Sequence, residues 1–112
     1  MTNSMIVGAH TLALDKDGNL ANLDDWSVEV ALVLARQADV ELTEAHWEIL
    51  HLMRAFHARR GIAPVMRILV KLVETELGAE KGNSLYLLKL FPGSPARVAS
   101  RIAGLPRPTN CI

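Results

Sequence analysis

The chain has 112 residues, 50% of them hydrophobic and 21% charged, which is the composition of one globular domain with its own core and excludes a disordered chain. Twelve Lys and Arg balance twelve Asp and Glu, and the single cysteine excludes an internal disulfide framework and fits a reducing cytoplasm. No basic stretch followed by an apolar run opens the chain, and no apolar run approaches the ~20 residues of a membrane span, so neither a signal peptide nor membrane contact is expected.

Residues 5–14 are apolar and partly alternating, and they run into Asp15-Lys16-Asp17-Gly18-Asn19, whose Asp-Gly pair is a strong turn signal before Leu20. A small β-hairpin, or two short strands, is expected over residues 5–22. The Asp-rich turn fails as a calcium loop. With Gly18 in its sixth position, the first ligand falls on Ala13 and the twelfth position is Asp24 in place of Glu.

From Asp25-Trp26-Ser27 the pattern is helical. Asp25 or Ser27 can cap a first helix whose body, Val28-Glu29-Val30-Ala31-Leu32-Val33-Leu34-Ala35, is apolar nearly all round, as in a helix at the centre of a domain. Thr43 caps a second helix with an inward stripe of Ile49, Leu52, Met53 and Phe56, and Gly61 ends it after Arg59-Arg60, bases that suit the C-terminal dipole. Pro64 opens a third with Val65, Ile68, Leu69 and Leu72 as its core face, and Gly78 stops it. Residues 80–91 give a fourth, capped by Asn83 or Ser84, with Leu85, Leu88 and Phe91 inward. Pro92-Gly93-Ser94-Pro95 is a turn, and residues 95–103 make a short fifth helix ending at Gly104.

The expected fold is therefore mainly α. A small N-terminal β-hairpin precedes a compact orthogonal bundle of about five short helices, helix-turn-helix-like around Gly61. Residues 1–103 form the single globular domain, with helices over residues 25–103, and residues 104–112 form a flexible C-terminal arm.

Charge is unevenly distributed. Residues 1–53 carry nine acids against Lys16 and Arg36, a net of −7, and residues 54–112 carry ten bases against Glu74, Glu76 and Glu80, a net of +7. Such a dipolar surface can steer its basic side toward an acidic protein face or a nucleic acid, or it can simply be solvated charge. A nucleic-acid-binding regulator built on the second and third helices would use Arg59, Arg60, Arg67 and Lys71, with binding that weakens steeply with salt. Few aromatics are present to stack on single strands.

Histidines 46, 51 and 57 share one helix, but separations of five and six residues turn about 140° and 240° and scatter them round it. No metal site is expected, and no Ser/His/Asp set, glycine-rich phosphate loop or carboxylate pair stands out. His51 and Glu48, three apart, are placed to pair on the surface. What remains is Cys111, second-last in the run Gly104-Leu105-Pro106-Arg107-Pro108-Thr109-Asn110-Cys111-Ile112. Two prolines favour extended backbone there, and at roughly 3.1 Å per residue the nine residues reach on the order of 28 Å. A prenylation box needs its cysteine four residues from the end, which excludes that modification. A thiol on a semi-stiff arm suits entry into another protein's active site and the carriage of a group as persulfide or mixed disulfide. Only the thiolate is nucleophilic; Arg101 or Arg107 nearby would raise its fraction, and the Ile112 carboxylate would lower it.

The run Glu80-Lys81-Gly82-Asn83-Ser84-Leu85-Tyr86-Leu87-Leu88-Lys89-Leu90-Phe91-Pro92-Gly93-Ser94-Pro95-Ala96, the tail from Ile102 to Ile112, His46-Trp47-Glu48, and Pro64-Val65-Met66-Arg67-Ile68-Leu69-Val70-Lys71 together resemble the DsrC/TusE family. The resemblance covers almost the whole chain and implies a small, mainly helical, cytoplasmic sulfur carrier whose penultimate cysteine bears the persulfide, here Cys111. In the DsrC branch a second cysteine lies eleven positions earlier; here that position is Ser100, which favours the TusE-like branch. The likeness then implies a sulfurtransferase-type persulfide relay without a cofactor, between a TusBCD-type donor complex and a tRNA 2-thiouridylase, with or without its tRNA, in wobble-uridine 2-thiolation. Lys81, Arg101 and Arg107 are the candidate partner contacts. The alternative within the family is a single-cysteine DsrC-like protein of sulfur oxidation or dissimilatory sulfur metabolism.

Overall fold

A computed structural model describes residues 3–109. Strands β1 (Asn3–Val7) and β2 (His10–Leu14) pair antiparallel, with Val7 opposite His10 across the two-residue loop Gly8-Ala9. Gly8 has φ +60° and Ala9 is not among the positive-φ residues, the pattern of a II′ turn with glycine first. The Asp-Gly segment makes a second reversal, not the hairpin's own turn. Asp15 Oδ1 accepts the amides of Asp17 and Asn19, both at 2.9 Å, and a single bridge joins Leu14 to Leu20. The paired strands thus end at Leu14, and only that bridge extends the β structure toward residue 22. Met5, Val7 and Leu12 face the core while Ile6 is 72% exposed, the period-two alternation of a half-buried hairpin.

A single 3-10 turn, Leu23–Asp25, leads into α1 (Val28–Gln37), where Ser27 Oγ accepts the Val30 amide at 3.2 Å. Such a cap is worth about 1 kcal/mol. The expectation that α1 occupies the centre is corrected: Val30, Ala31, Leu34 and Ala35 are buried, but Val28 and Leu32 are 55% and 43% exposed. The helix is packed on one side only.

Helix α2 (Glu44–Arg60) starts at Thr43, as its sequence predicts, and ends at Gly61 in the left-handed region. His46 completes the cap. Its Nδ1 accepts the Thr43 amide at 3.1 Å and its Nε2 lies 2.7 Å from the Leu90 carbonyl, so the consistent tautomer carries hydrogen on Nε2. The ring also meets Phe91 edge-on, at 5.1 Å between centroids. This histidine ties the start of α2 to the end of the fourth helix and has no ring nitrogen left for a metal. The buried set of α2 includes Leu50, outside the predicted stripe, while Leu52 is only half-buried.

Two predicted faces are rotated. In α3 (Met66–Leu77) the buried residues are Leu69 and Val73, whereas Ile68 is 37% exposed and Leu72 half-buried. The helix begins two residues after Pro64 and buries an i, i+4 pair one position further round. In α4 (Ser84–Leu90) Leu87 and the following Phe91 go inward, and Leu85 and Leu88 are 65% and 40% exposed. The reason lies upstream. Residues 80–83 stay outside the helix because Gly82 sits against the α3 backbone, where a Cβ would come within 2.2 Å of Glu74 Cα, and Asn83 Oδ1 caps from there at 2.9 Å. A run as leucine-rich as Leu85-Tyr86-Leu87-Leu88-Lys89-Leu90 does not by itself say which leucines turn inward.

The centre belongs to α5 (Pro95–Ile102), which packs on α1, α2, α3 and α4. Ala96, Ala99 and Ser100 are its buried small residues, and small side chains let four neighbours approach one short helix. Core continues past the helix: Ala103 and Leu105 are buried within the main cluster and Pro108 is buried too. Within residues 104–109 the chain thus runs along the body, where the sequence suggests a free arm. No helix among the described residues is long and apolar enough to cross a membrane.

Candidate functional site

The segment that leads to Cys111 leaves α5 through a built exit. Ala103 closes the helix, Gly104 follows at φ +73°, and two amides turn back: Gly104 N–H to the Arg101 carbonyl at 3.1 Å, and Leu105 N–H to the Ser100 carbonyl at 2.9 Å. This pair of bonds is a Schellman motif, which needs a left-handed residue at the position of Gly104. A Cβ there would also lie 2.5 Å from Cδ1 of Trp26, so the indole packs on the bare α-carbon.

Three further carbonyls at the exit each receive a side-chain donor from a different element. Trp26 Nε1–H donates to Ile102 at 2.9 Å, Arg54 of α2 to Ala103 at 2.7 Å, and Asn19 of the Asp-Gly turn to Leu105 at 2.9 Å. The Arg54 guanidinium lies 4.1 Å from the centroid of Trp26 and faces the negative end of the α5 dipole. Burial lowers its pKa from the ordinary arginine value, and Asp24 opposes that shift. These donors fix the direction in which the chain leaves the core.

Of the partner contacts expected from sequence, the structure brings two together. Arg101 donates to the Asp17 carbonyl at 2.9 Å, and Arg107 lies 3.7 Å from the Asp17 carboxylate. Lys81 is not with them. Its ammonium bonds Glu48 of α2 at 2.9 Å, which raises its pKa above the ordinary lysine value. Glu48 therefore pairs with Lys81 rather than with His51, whose ring instead stacks on Trp47 at 6.0 Å between centroids. Among the described residues no three His, Cys, Asp or Glu side chains come together as a metal site. Cys111, the principal residue expected from sequence, lies outside the described residues.

A family model described as "DsrC like protein" matches residues 6–112. The chain belongs to the DsrC family. Among curated relatives, "Sulfurtransferase TusE" of Photorhabdus laumondii is 43% identical over 96% of this chain and 97% of its own length. That of Yersinia pseudotuberculosis is 49% identical over 88% of this chain and 91% of its own. Among solved structures, DsrC of Allochromatium vinosum superposes with a TM-score of 0.90 at 47% identity, over the whole of both chains. The oxidized γ-subunit of dissimilatory sulfite reductase (DsrC) from Archaeoglobus fulgidus gives 0.84 at 41% identity, covering 98% of this chain and all of the other. The hairpin and five-helix bundle are thus the DsrC fold.

Ser100, eleven positions before Cys111, is fully buried on α5, and among the described residues its Oγ has no hydrogen-bond partner. A buried hydroxyl without a partner is a cost, so Ser100→Ala is expected to be neutral or to stabilise by up to about 1–2 kcal/mol. Urea unfolding measures this, and a lower midpoint in the variant would mean that the hydroxyl has a partner in solution. The residues that sequence reasoning misses at the exit are Asn19 and Arg54. Trp26 enters it only as the neighbour of a helix cap. Nothing local marks Asn19, since a polar residue following an Asp-Gly turn is ordinarily exposed and this one is 3% exposed.

Proposed function

We propose that this chain is a sulfur carrier of the TusE type, which accepts a persulfide sulfur on Cys111 and relays it to an acceptor in 2-thiolation of the tRNA wobble uridine. One observation carries the reading. A chain alike over 96% of its length to a protein named Sulfurtransferase TusE has a single thiol, at its second-last position. A solitary thiol can hold and hand on sulfur, but it has no partner in its own chain for an internal disulfide.

The chemistry conserves atoms and electrons. The Cys111 thiolate attacks the outer sulfur of a donor persulfide; a new S–S bond forms, the donor's S–S bond breaks, and the donor thiolate leaves with the electron pair. In the second half a thiolate of the acceptor attacks the outer sulfur of the Cys111 persulfide, and Cys111 departs as thiolate. No net oxidant or reductant is consumed in either transfer. A free thiol of pKa about 8.5 is only a few per cent ionised at neutral pH, so a basic partner pocket would speed loading. The donor is a TusBCD-type complex and the acceptor a tRNA 2-thiouridylase. The test is intact-mass spectrometry of the chain after incubation with a persulfide donor, with the modified residue mapped. A gain of one sulfur mass located on Cys111 is expected; no gain would overturn the reading.

A further inference from the structure

Arg97 and Arg101 lie one helical turn apart on α5, and both are exposed. The reversal at Gly104 and the Asn19 bond to Leu105 then return the chain so that Arg107 joins them. The three guanidinium groups border one recess of about 140 Å³, walled by Asp17 and the buried Asn19. Arg101 also lies against the Asp-Gly turn: a Cβ on Gly18 would be 3.8 Å from its terminal nitrogen.

The fold itself uses little of this donor capacity. Each guanidinium offers five N–H donors. Among the described residues the only side-chain hydrogen bond made by the three is Arg101 to the Asp17 carbonyl, and the only ion pair is Arg107 with the Asp17 carboxylate at 3.7 Å. Three cations face one carboxylate. Like charges gathered this closely are favourable when an anion bridges them, and planar forks converging from two segments suit a multiply charged tetrahedral oxyanion. A single carboxylate occupies one fork only, and Asp17 already supplies it. The volume admits one such oxyanion with water.

We infer that the Arg97, Arg101 and Arg107 recess binds a phosphate-class oxyanion, either free inorganic phosphate or a phosphodiester of RNA. The RNA source rests on the sulfur-relay reading above, in which the acceptor works on RNA.

The test is NMR of the arginine Nε–H groups in the full chain, titrated with inorganic phosphate against chloride at matched ionic strength, then with a short RNA stem-loop. Phosphate is expected to shift the three arginines saturably, and Arg97→Gln is expected to weaken binding roughly tenfold, the loss of one charge-assisted hydrogen-bonding group. Arg97 makes no side-chain hydrogen bond or ion pair among the described residues, and Arg107→Gln provides a second variant with the same expected loss. For the stem-loop, the slope of log affinity against log salt is expected near about −2 to −3 and reduced by about 1 in Arg97→Gln. Saturable phosphate binding without stem-loop binding keeps the site and assigns its ligand as free phosphate. Phosphate shifts no larger than those in chloride overturn the inference. Persulfide loading of the same samples separates the two readings: failed loading with intact phosphate binding sinks the relay alone, and intact loading with a silent phosphate titration sinks this site alone.

Discussion

Cys111→Ser is expected to abolish persulfide loading completely while leaving the melting temperature unchanged. The loss is total because the chain has no other thiol to take over. An alkoxide cannot substitute: a serine hydroxyl is not ionised near neutral pH and would give no persulfide if it reacted. Ser100 offers no rescue either, being a fully buried alcohol. Among the described residues the core cluster reaches its last member at Leu105, six positions before the substitution, and stability is expected to be untouched. The assay is intact mass after exposure to a persulfide donor, beside a thermal melt of the same preparation. A variant that still gained sulfur would refute Cys111 as the carrier residue. A variant that lost both sulfur uptake and several degrees of melting temperature would mean that the cysteine also serves the fold.

Local signals in the sequence account for much of the architecture. Ser27, Thr43 and Asn83 stand at the starts of their helices, and Gly61, Gly78 and Gly104 follow the ends of theirs. Which face turns inward is less legible. Helix α3 offers Ile68, Leu69, Leu72 and Val73 as nearly equal candidates, and only the positions of α2 and α5 decide between them. The central role of α5 is hidden for the same reason. Its eight residues carry two arginines and a serine, so composition marks it as peripheral, while its alanines make it the helix that others can approach. At the candidate site, Cys111 is legible through its family likeness, but its supports are not. The bonds from Asn19, Trp26 and Arg54 span 86, 76 and 49 residues, and nothing local to either end announces them. The charge asymmetry is real in sequence yet partly spent in the fold: Lys81 serves Glu48, and Arg101 and Arg107 meet Asp17 across the two halves.

Gly104→Ala is expected to be the most damaging substitution at the exit, destabilising the domain by about 2–5 kcal/mol, the sum of two effects. A left-handed backbone costs a β-carbon-bearing residue roughly 1–2 kcal/mol. The new methyl would also fall 2.5 Å from Cδ1 and 2.9 Å from Cγ of Trp26. These are ring atoms with no flexible end to swing aside, and overpacking of that kind adds about 1–3 kcal/mol. Displacing the indole then strains its bond to the Ile102 carbonyl and its stack with Arg54. Gly93→Ala is the control. Gly93 has φ +93°, and a β-carbon added there would meet nothing within 4 Å, so this variant reports the backbone cost alone. For a domain of this size the expected drop in melting temperature is on the order of 10 °C for Gly104→Ala and about half that or less for Gly93→Ala. Equal losses in the two variants would show that Trp26 yields freely, and the indole would then no longer count as a rigid support for the exit. A larger loss at Gly104, with slower persulfide transfer in the surviving folded fraction, would tie the direction of the chain at Leu105 to the delivery of Cys111.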